Sequence, residues 1–225
     1  MIFSRISSTF LLCLLGAFSP LLHAAHLQVI VSDTQAIALE DAVVELISDK
    51  NPKAAQDALH YEMAQKNRTF IPFVMAVPQG TKVDFPNLDR TRHHVYSFSE
   101  AKPFELKLYV GKAEEPILFD KPGLVALGCN IHDYMQAFIY VARSPLVAVS
   151  DSQGQIDFSD VPEGTYQVKL WHPWQKAVPS LSTLVVNAGD NSLSLSLDVT
   201  RQAKPSAPPA GFGNLDPQGS PDYAQ

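Results

Sequence analysis

The sequence predicts an all-β protein made of two consecutive β-sandwiches, and three observations carry that expectation. Apolar residues recur with a period of two in short runs between residues 26 and 199, which is the repeat of a half-buried strand and not of a helix. Turn signals such as Pro78-Gln79-Gly80, Asp120-Lys121-Pro122-Gly123 and Asp151-Ser152-Gln153-Gly154 separate the runs. Seventeen prolines in 225 residues argue for loops, turns and edges over long helices.

Residues 1–24 read as a secretory signal that is removed. Arg5 supplies the positive start, an apolar run spans residues 10–18, and the segment closes on Leu22-His23-Ala24, with cleavage expected after Ala24 and Ala25 as second choice. Leu11 and Leu12 are too bulky for a lipoprotein cleavage box, so Cys13 is expected to leave with the signal. No further run is long enough to span a membrane, so the mature chain is expected without a membrane span. An export signal points to the periplasm. Losing Arg5 lowers the 17 basic residues by one against 23 acidic, which takes the formal charge from −6 to −7. That balance offers no basic patch for nucleic acid, and it favours a basic partner by long-range steering.

In chain order, residues 26–32 and 42–47 read as two strands of a hairpin that opens the first sandwich. Residues 49–64 read as a polar, alanine-rich loop with one short helix near 54–64, and His60 within it as a solvated side chain. Pro72 demotes the apolar run 70–77 to an edge or bent strand. Residues 81–85 are the next strand, 86–92 a loop, and 93–98 a strand that begins with His93 and His94. Residues 104–110, 116–119, 124–129 and 136–141 complete the first unit. Runs at 146–149, 155–158, 165–171, 184–186 and 193–199 form a smaller sandwich. The expected boundaries are therefore 25–145, 146–200 and a disordered Pro/Gly-rich tail at 201–225.

Once the signal is gone, Cys129 is the only cysteine, and an exported chain with one cysteine makes no internal disulfide. A lone buried thiol is often just a small hydrophobe. Here, however, it opens the loop Cys129-x2-His132-x2-Met135, which sets a thiol, an imidazole and a thioether on one short segment. Two histidines, one thiolate and a long, weak axial methionine make up a blue-copper centre. The loop lacks only one histidine of that set, and His93 or His94, at the start of a strand, is placed to supply it. Zinc is the competing metal, but it seldom takes methionine, so copper leads.

The set Phe70-Ile71-Pro72, Val77-x2-Gly80-x2-Val83-x-Phe85-x-Asn87-x-Asp89, His93-x-Val95, Pro122-Gly123 and Cys129-x2-His132-x2-Met135 resembles the cupredoxins. Over about residues 26–142 it is closest to the plastocyanin and amicyanin branch, with the short ligand loop of amicyanin. It is also similar to bacterial cupredoxin-domain proteins labelled methylamine utilisation proteins. The resemblance implies a Greek-key β-sandwich, copper as cofactor, and His93, Cys129, His132 and Met135 as ligands, with His94 as the alternative to His93. Two departures stand out: Arg92 replaces the family's proline, and His94 replaces its asparagine. The features Asp151-x2-Gly154, Val161-Pro162-x-Gly164-x-Tyr166 and Trp171-His172-Pro173 resemble the transthyretin-like, carboxypeptidase regulatory-like sandwich. In that reading Trp171 and Trp174 either pack at a strand end or form a docking patch.

The expected function is an exported type 1 copper protein in electron transfer, working with a redox partner protein or a copper donor or acceptor. Two alternatives are a periplasmic copper-binding or delivery protein without redox turnover, and a structural or interaction module of the cell envelope. An enzyme is not expected, because the sequence carries no Ser/His/Asp set, no paired carboxylates and no Gly-rich phosphate loop.

Overall fold

A computed structural model describes residues 25–49, 60–112, 115–178 and 181–206. The expected signal at 1–24 and residues 207–225 of the expected tail lie outside the described residues. In chain order the strands are β1 (Ala25–Asp33), β2 (Val43–Ile47), β3 (Tyr61–Glu62), β4 (Ala64–Lys66), β5 (Thr69–Ile71) and β6 (Val74–Pro78). Next come β7 (Thr81–Asp84), β8 (His93–Ser97), β9 (Phe104–Tyr109), β10 (Ile117–Phe119), β11 (Gly123–Gly128) and β12 (Gln136–Ala142). The last are β13 (Val147–Val149), β14 (Gln155–Val161), β15 (Gly164–Trp171), β16 (Ser182–Val186) and β17 (Asp190–Leu197). The chain is all-β. No helix among the described residues is long and apolar enough to cross a membrane.

Strand pairing divides the chain differently from the expected boundary at residue 145. β1 lies between β14 and β17, and β2 lies between β13 and β15 in the facing sheet. The two strands therefore do not form a hairpin, and both belong to the small sandwich. The pattern of β1 explains this. Its inward residues Leu27, Val29 and Val31 share a core with Ile156, Phe158, Tyr166 and Leu197, while both of its backbone edges are hydrogen-bonded. The chain between β1 and β2 crosses from one sheet to the other. Ser150 holds that crossing by accepting from Ala42 N–H at 2.9 Å and donating to Leu39 O at 2.6 Å. Gly154 must stay a glycine, since it sits at φ +74° and a Cβ there would lie 2.2 Å from Val31 O.

The second unit is inserted between β2 and β13. Its larger sheet runs β6-β12-β11-β8-β9, and β10-β7-β3 faces it across a core that includes Met63, Phe85, Val95, Phe119, Leu127 and Ile139. Residues 60–66 are extended, contrary to the helix expected near 54–64; residues 54–59 lie outside the described ones. The reason is a period of two: Met63 and Gln65 are both fully buried, and Tyr61 pairs in parallel with Val83. Pro72 splits the apolar run into β5 and β6, and β6 takes the sheet edge, as expected.

The two units meet along an aromatic seam. Trp174 packs on Phe73 at 5.6 Å and Trp171 on Phe138 at 5.7 Å between ring centroids, so the tryptophans pack between the units and do not form a free patch. Beside them Glu45 of β2, 1% exposed, accepts from Tyr140 O–H at 2.8 Å, Arg143 N–H at 2.7 Å and Ser144 N–H at 3.0 Å. A buried carboxylate with three donors is well compensated. It fixes the point where the inserted unit returns to the small sandwich. Residues 201–206 are also held, contrary to the expected disorder. Arg201 pairs with Asp33 at 2.7 Å, and Lys204 with Asp41 at 2.7 Å and Glu40 at 2.8 Å.

His172 gives this fold a predicted pH dependence. It is buried; its Nε2–H donates to Glu40 O at 3.0 Å and its Nδ1 accepts from Trp174 N–H at 3.1 Å. Burial lowers its pKa to about 4. The unfolded imidazole takes up a proton near pH ~6.5, and the folded one only two or more units lower, so acid favours the unfolded chain across that window. Unfolding free energy should drop by about 3 kcal/mol between those pH values. Urea denaturation at a series of pH values checks this, and His172→Gln should flatten the dependence.

Candidate metal centre

The centre is built on the β11–β12 hairpin. Gly128 pairs with Gln136, and residues 129–135 span the gap, so the ligand loop is a turn between antiparallel strands. The Met135 N–H closes it on His132 O at 2.9 Å. Alternation along β11 turns Val125, Leu127 and Cys129 towards the core, and Cys129 is 3% exposed. β8 runs beside β11, with Tyr96 opposite Gly128.

Period two also separates the adjacent histidines. Val95 is a core residue, so His93 shares its inward face, while His94 goes with Tyr96 on the other face. One donor atom each from His93, Cys129 and His132 lie within 4.8 Å of one another, the one such group of three among the described residues. Cys129 Sγ is 4.0 Å from His132 Nδ1, and the His93 and His132 ring centroids are 5.1 Å apart. Met135 is fully buried in the same core cluster. His94 stands outside the group, with Nε2 2.8 Å from Glu105 Oε1.

Asp89 determines how His93 presents its ring. The carboxylate lies 2.8 Å from His93 Nε2, which is therefore the protonated nitrogen, and leaves Nδ1 with a lone pair. That Nδ1 is buried and has no hydrogen-bond partner. Asp89 also accepts from Asn67 N–H at 2.8 Å and Arg68 N–H at 2.9 Å. Both residues have positive φ, 54° and 58°, in the two-residue turn between β4 and β5. Asn87 shapes the loop that carries Asp89: its Oδ1 accepts from Asp89 N–H, and its amide donates to Thr91 O and Tyr109 O. Burial raises the Asp89 carboxyl, but the Arg68 N–H, the His93 ring and the Asn67 N–H outweigh it and leave the pKa below the usual carboxylate value. Asp89 was part of the sequence motif without a role. The available signal was a carboxylate four residues before a candidate ligand.

His132 is the half-buried member of the group. Burial, then electrostatic coupling to the neighbouring His93 ring and the Arg68 charge, lower its pKa against the opposing pull of Asp89, which favours the neutral imidazole. A copper or zinc ion fits this arrangement. Bonds of ~2.0–2.3 Å set trigonal donors about 3.5–4 Å apart, so the observed separations need little closure. A buried orphan nitrogen beside a buried thiol has a clear use as a metal donor, where otherwise it would be an unpaired polar atom.

No protein-family model matches the chain, and no curated protein matches it. Among solved structures it is similar to the copper-containing nitrite reductase of Thermus scotoductus SA-01, with 28% identity, 37% of this chain and 22% of the reductase covered, and a TM-score of 0.35. It is similar to a purple cupredoxin from Nitrosopumilus maritimus, with 18% identity, 36% and 99% covered, and a TM-score of 0.31. A third is the Cu(I) form of a methionine-to-alanine mutant of amicyanin, with 17% identity, 44% and 98% covered, and a TM-score of 0.34. The chain spans about a fifth of the reductase. At such TM-scores the likenesses decide neither ligands nor activity.

Removing the support behind a metal-binding histidine typically costs 10–100-fold in affinity. Asp89→Ala should accordingly weaken copper binding by roughly that factor. His94→Ala should leave it nearly unchanged. Competition titrations against a copper chelator measure both, and a larger loss in His94→Ala would reverse the ligand assignment.

Proposed function

We propose that this chain is an exported type 1 copper protein that transfers electrons and has no enzymatic turnover of its own. The supporting observation is the gathering of one donor atom each from His93, Cys129 and His132 within 4.8 Å of one another, with Asp89 engaging the Nε2 of His93 and leaving its Nδ1 buried and unpartnered. His93 and His132 would hold copper through imidazole nitrogen, Cys129 through the thiolate, and Met135 is the candidate axial thioether. Bound there, copper would supply a one-electron couple. Zinc is less suited to a set whose fourth candidate donor, Met135, is a thioether and not a carboxylate or a second thiol.

The residues around the donors favour a fixed geometry. Cys129, His93 and Met135 are buried, which excludes water from the donors, and the Asp89 clamp keeps the His93 ring from turning. His132 is the donor a partner protein can reach. The periplasmic location rests on the signal-like residues 1–24, and the partner is a redox protein or a copper donor or acceptor. The likeness to methylamine utilisation proteins and to a carboxypeptidase regulatory-like domain rests on sequence motifs.

Protein-film voltammetry of the copper-loaded chain tests the reading. Electron transfer requires a reversible one-electron wave and fast self-exchange. A Cu(I) affinity far above that for Cu(II), with slow self-exchange, would replace it with copper delivery.

A further inference from the structure

The whole chain carries a formal charge of −6, which by itself calls for a basic partner. The loops around His93 and His132 have the opposite sign. The β4–β5 hairpin brings Lys66 and Arg68 there, and the 86–92 loop brings Arg90 and Arg92. Lys66, Arg90 and Arg92 are exposed, and Arg90 and Arg92 form no ion pair with another described residue. Asp89, the acid on the same loop, faces inward: its side chain is 17% exposed and is bonded to His93, Asn67 and Arg68.

Arg68, Arg90, Asn67 and Thr91 line an open cavity of about 360 Å³ together with Asp89. Arg68 is close enough to His132 for its charge to act on that imidazole. The exposed acid of the ligand loop, Asp133, lines a second groove with Tyr96, Phe98, Cys129 and Met135 and does not line the arginine-bearing one. Two exposed apolar side chains sit on the same loops as the site, Leu88 beside Asp89 and Ile131 beside His132, at 61% and 46% exposure. The surface therefore combines apolar contact with a cationic rim.

Distance decides which charge a docking partner meets. At physiological salt the screening length is ~8 Å, so an approaching surface senses the arginines at this end far more than carboxylates elsewhere on the chain. Guanidinium groups also match carboxylates in bidentate geometry. We propose that the end bearing His132 docks an acidic face of a redox partner protein, with Arg68, Arg90 and Arg92 meeting its carboxylates and Leu88 and Ile131 making the apolar contact. That the partner is a redox protein rests on the copper reading; the anionic contact does not.

The test uses hexacyanochromate(III), a paramagnetic trianion that stands in for clustered carboxylates, added to the metal-free protein and followed by NMR line broadening. The expected result is broadening centred on the amides of residues 67–68 and 90–92, weakened about tenfold in the Arg90→Glu, Arg92→Glu double variant. Broadening scattered over the molecule, or unchanged by the charge reversal, would overturn the proposal. A second arm measures oxidation of the Cu(I) form by hexacyanoferrate(III). The rate should fall as salt rises, although protein and oxidant are both negative overall, and a rate that rises with salt overturns the proposal. The NMR arm needs no copper. A chain that binds the trianion at the arginines but forms no redox-active copper site would keep this surface and lose the electron-transfer reading.

Discussion

The hydrogen bond between Asp89 and His93 is the constraint on which the candidate centre depends. It fixes the tautomer, so that the buried Nδ1 carries the lone pair. It also stops the ring from turning, so that the lone pair stays beside Cys129 and His132. The same carboxylate accepts two backbone N–H groups from the β4–β5 turn, which joins a loop and a hairpin at one atom group. The cost of burying a carboxylate is met by three charge-assisted hydrogen bonds, which are about twice as strong as neutral ones. Preorganisation of this kind gives a bound ion donors that need little rearrangement.

The scaffold explains why such a centre can be held by short loops. The unit that carries it is inserted into a second sandwich between β2 and β13, and its returning chain is tied to β2. Glu45 tightens that junction by accepting from Tyr140, Arg143 and Ser144, and the Phe73–Trp174 and Phe138–Trp171 contacts pack the adjoining faces. The small sandwich thus covers part of the outer face of the larger sheet, while the ligand-bearing end stays open. The basic side chains on the loops at that end give it a charge opposite in sign to that of the chain as a whole.

Much of this was legible in the sequence. Strand positions followed from period-two alternation, and the lone Cys129 with His132 and Met135 marked the loop. That His93 faces inward and His94 the other way was also there to be read, because Val95 is apolar and shares parity with His93. The pairing of β1 and β2 was not legible. Alternation shows that a strand is half-buried but not which strands flank it, and the partners of β1 lie more than a hundred residues away. The extended stretch at 60–66 was hidden because its polar, alanine-rich composition suits a helix, while burial of Met63 and Gln65 is a tertiary effect. The clamp by Asp89 needed the folded loop, since only the turn built by Asn87 brings the carboxylate to the ring.

The most direct test of the central claim is addition of Cu(II) to the metal-free protein, read by visible absorption and EPR. If His93, Cys129 and His132 close on one ion, an intense thiolate-to-copper band appears at one equivalent, with a narrow copper hyperfine splitting. A pale protein with ordinary copper EPR would contradict the account, because the thiolate would not then be bound to the metal.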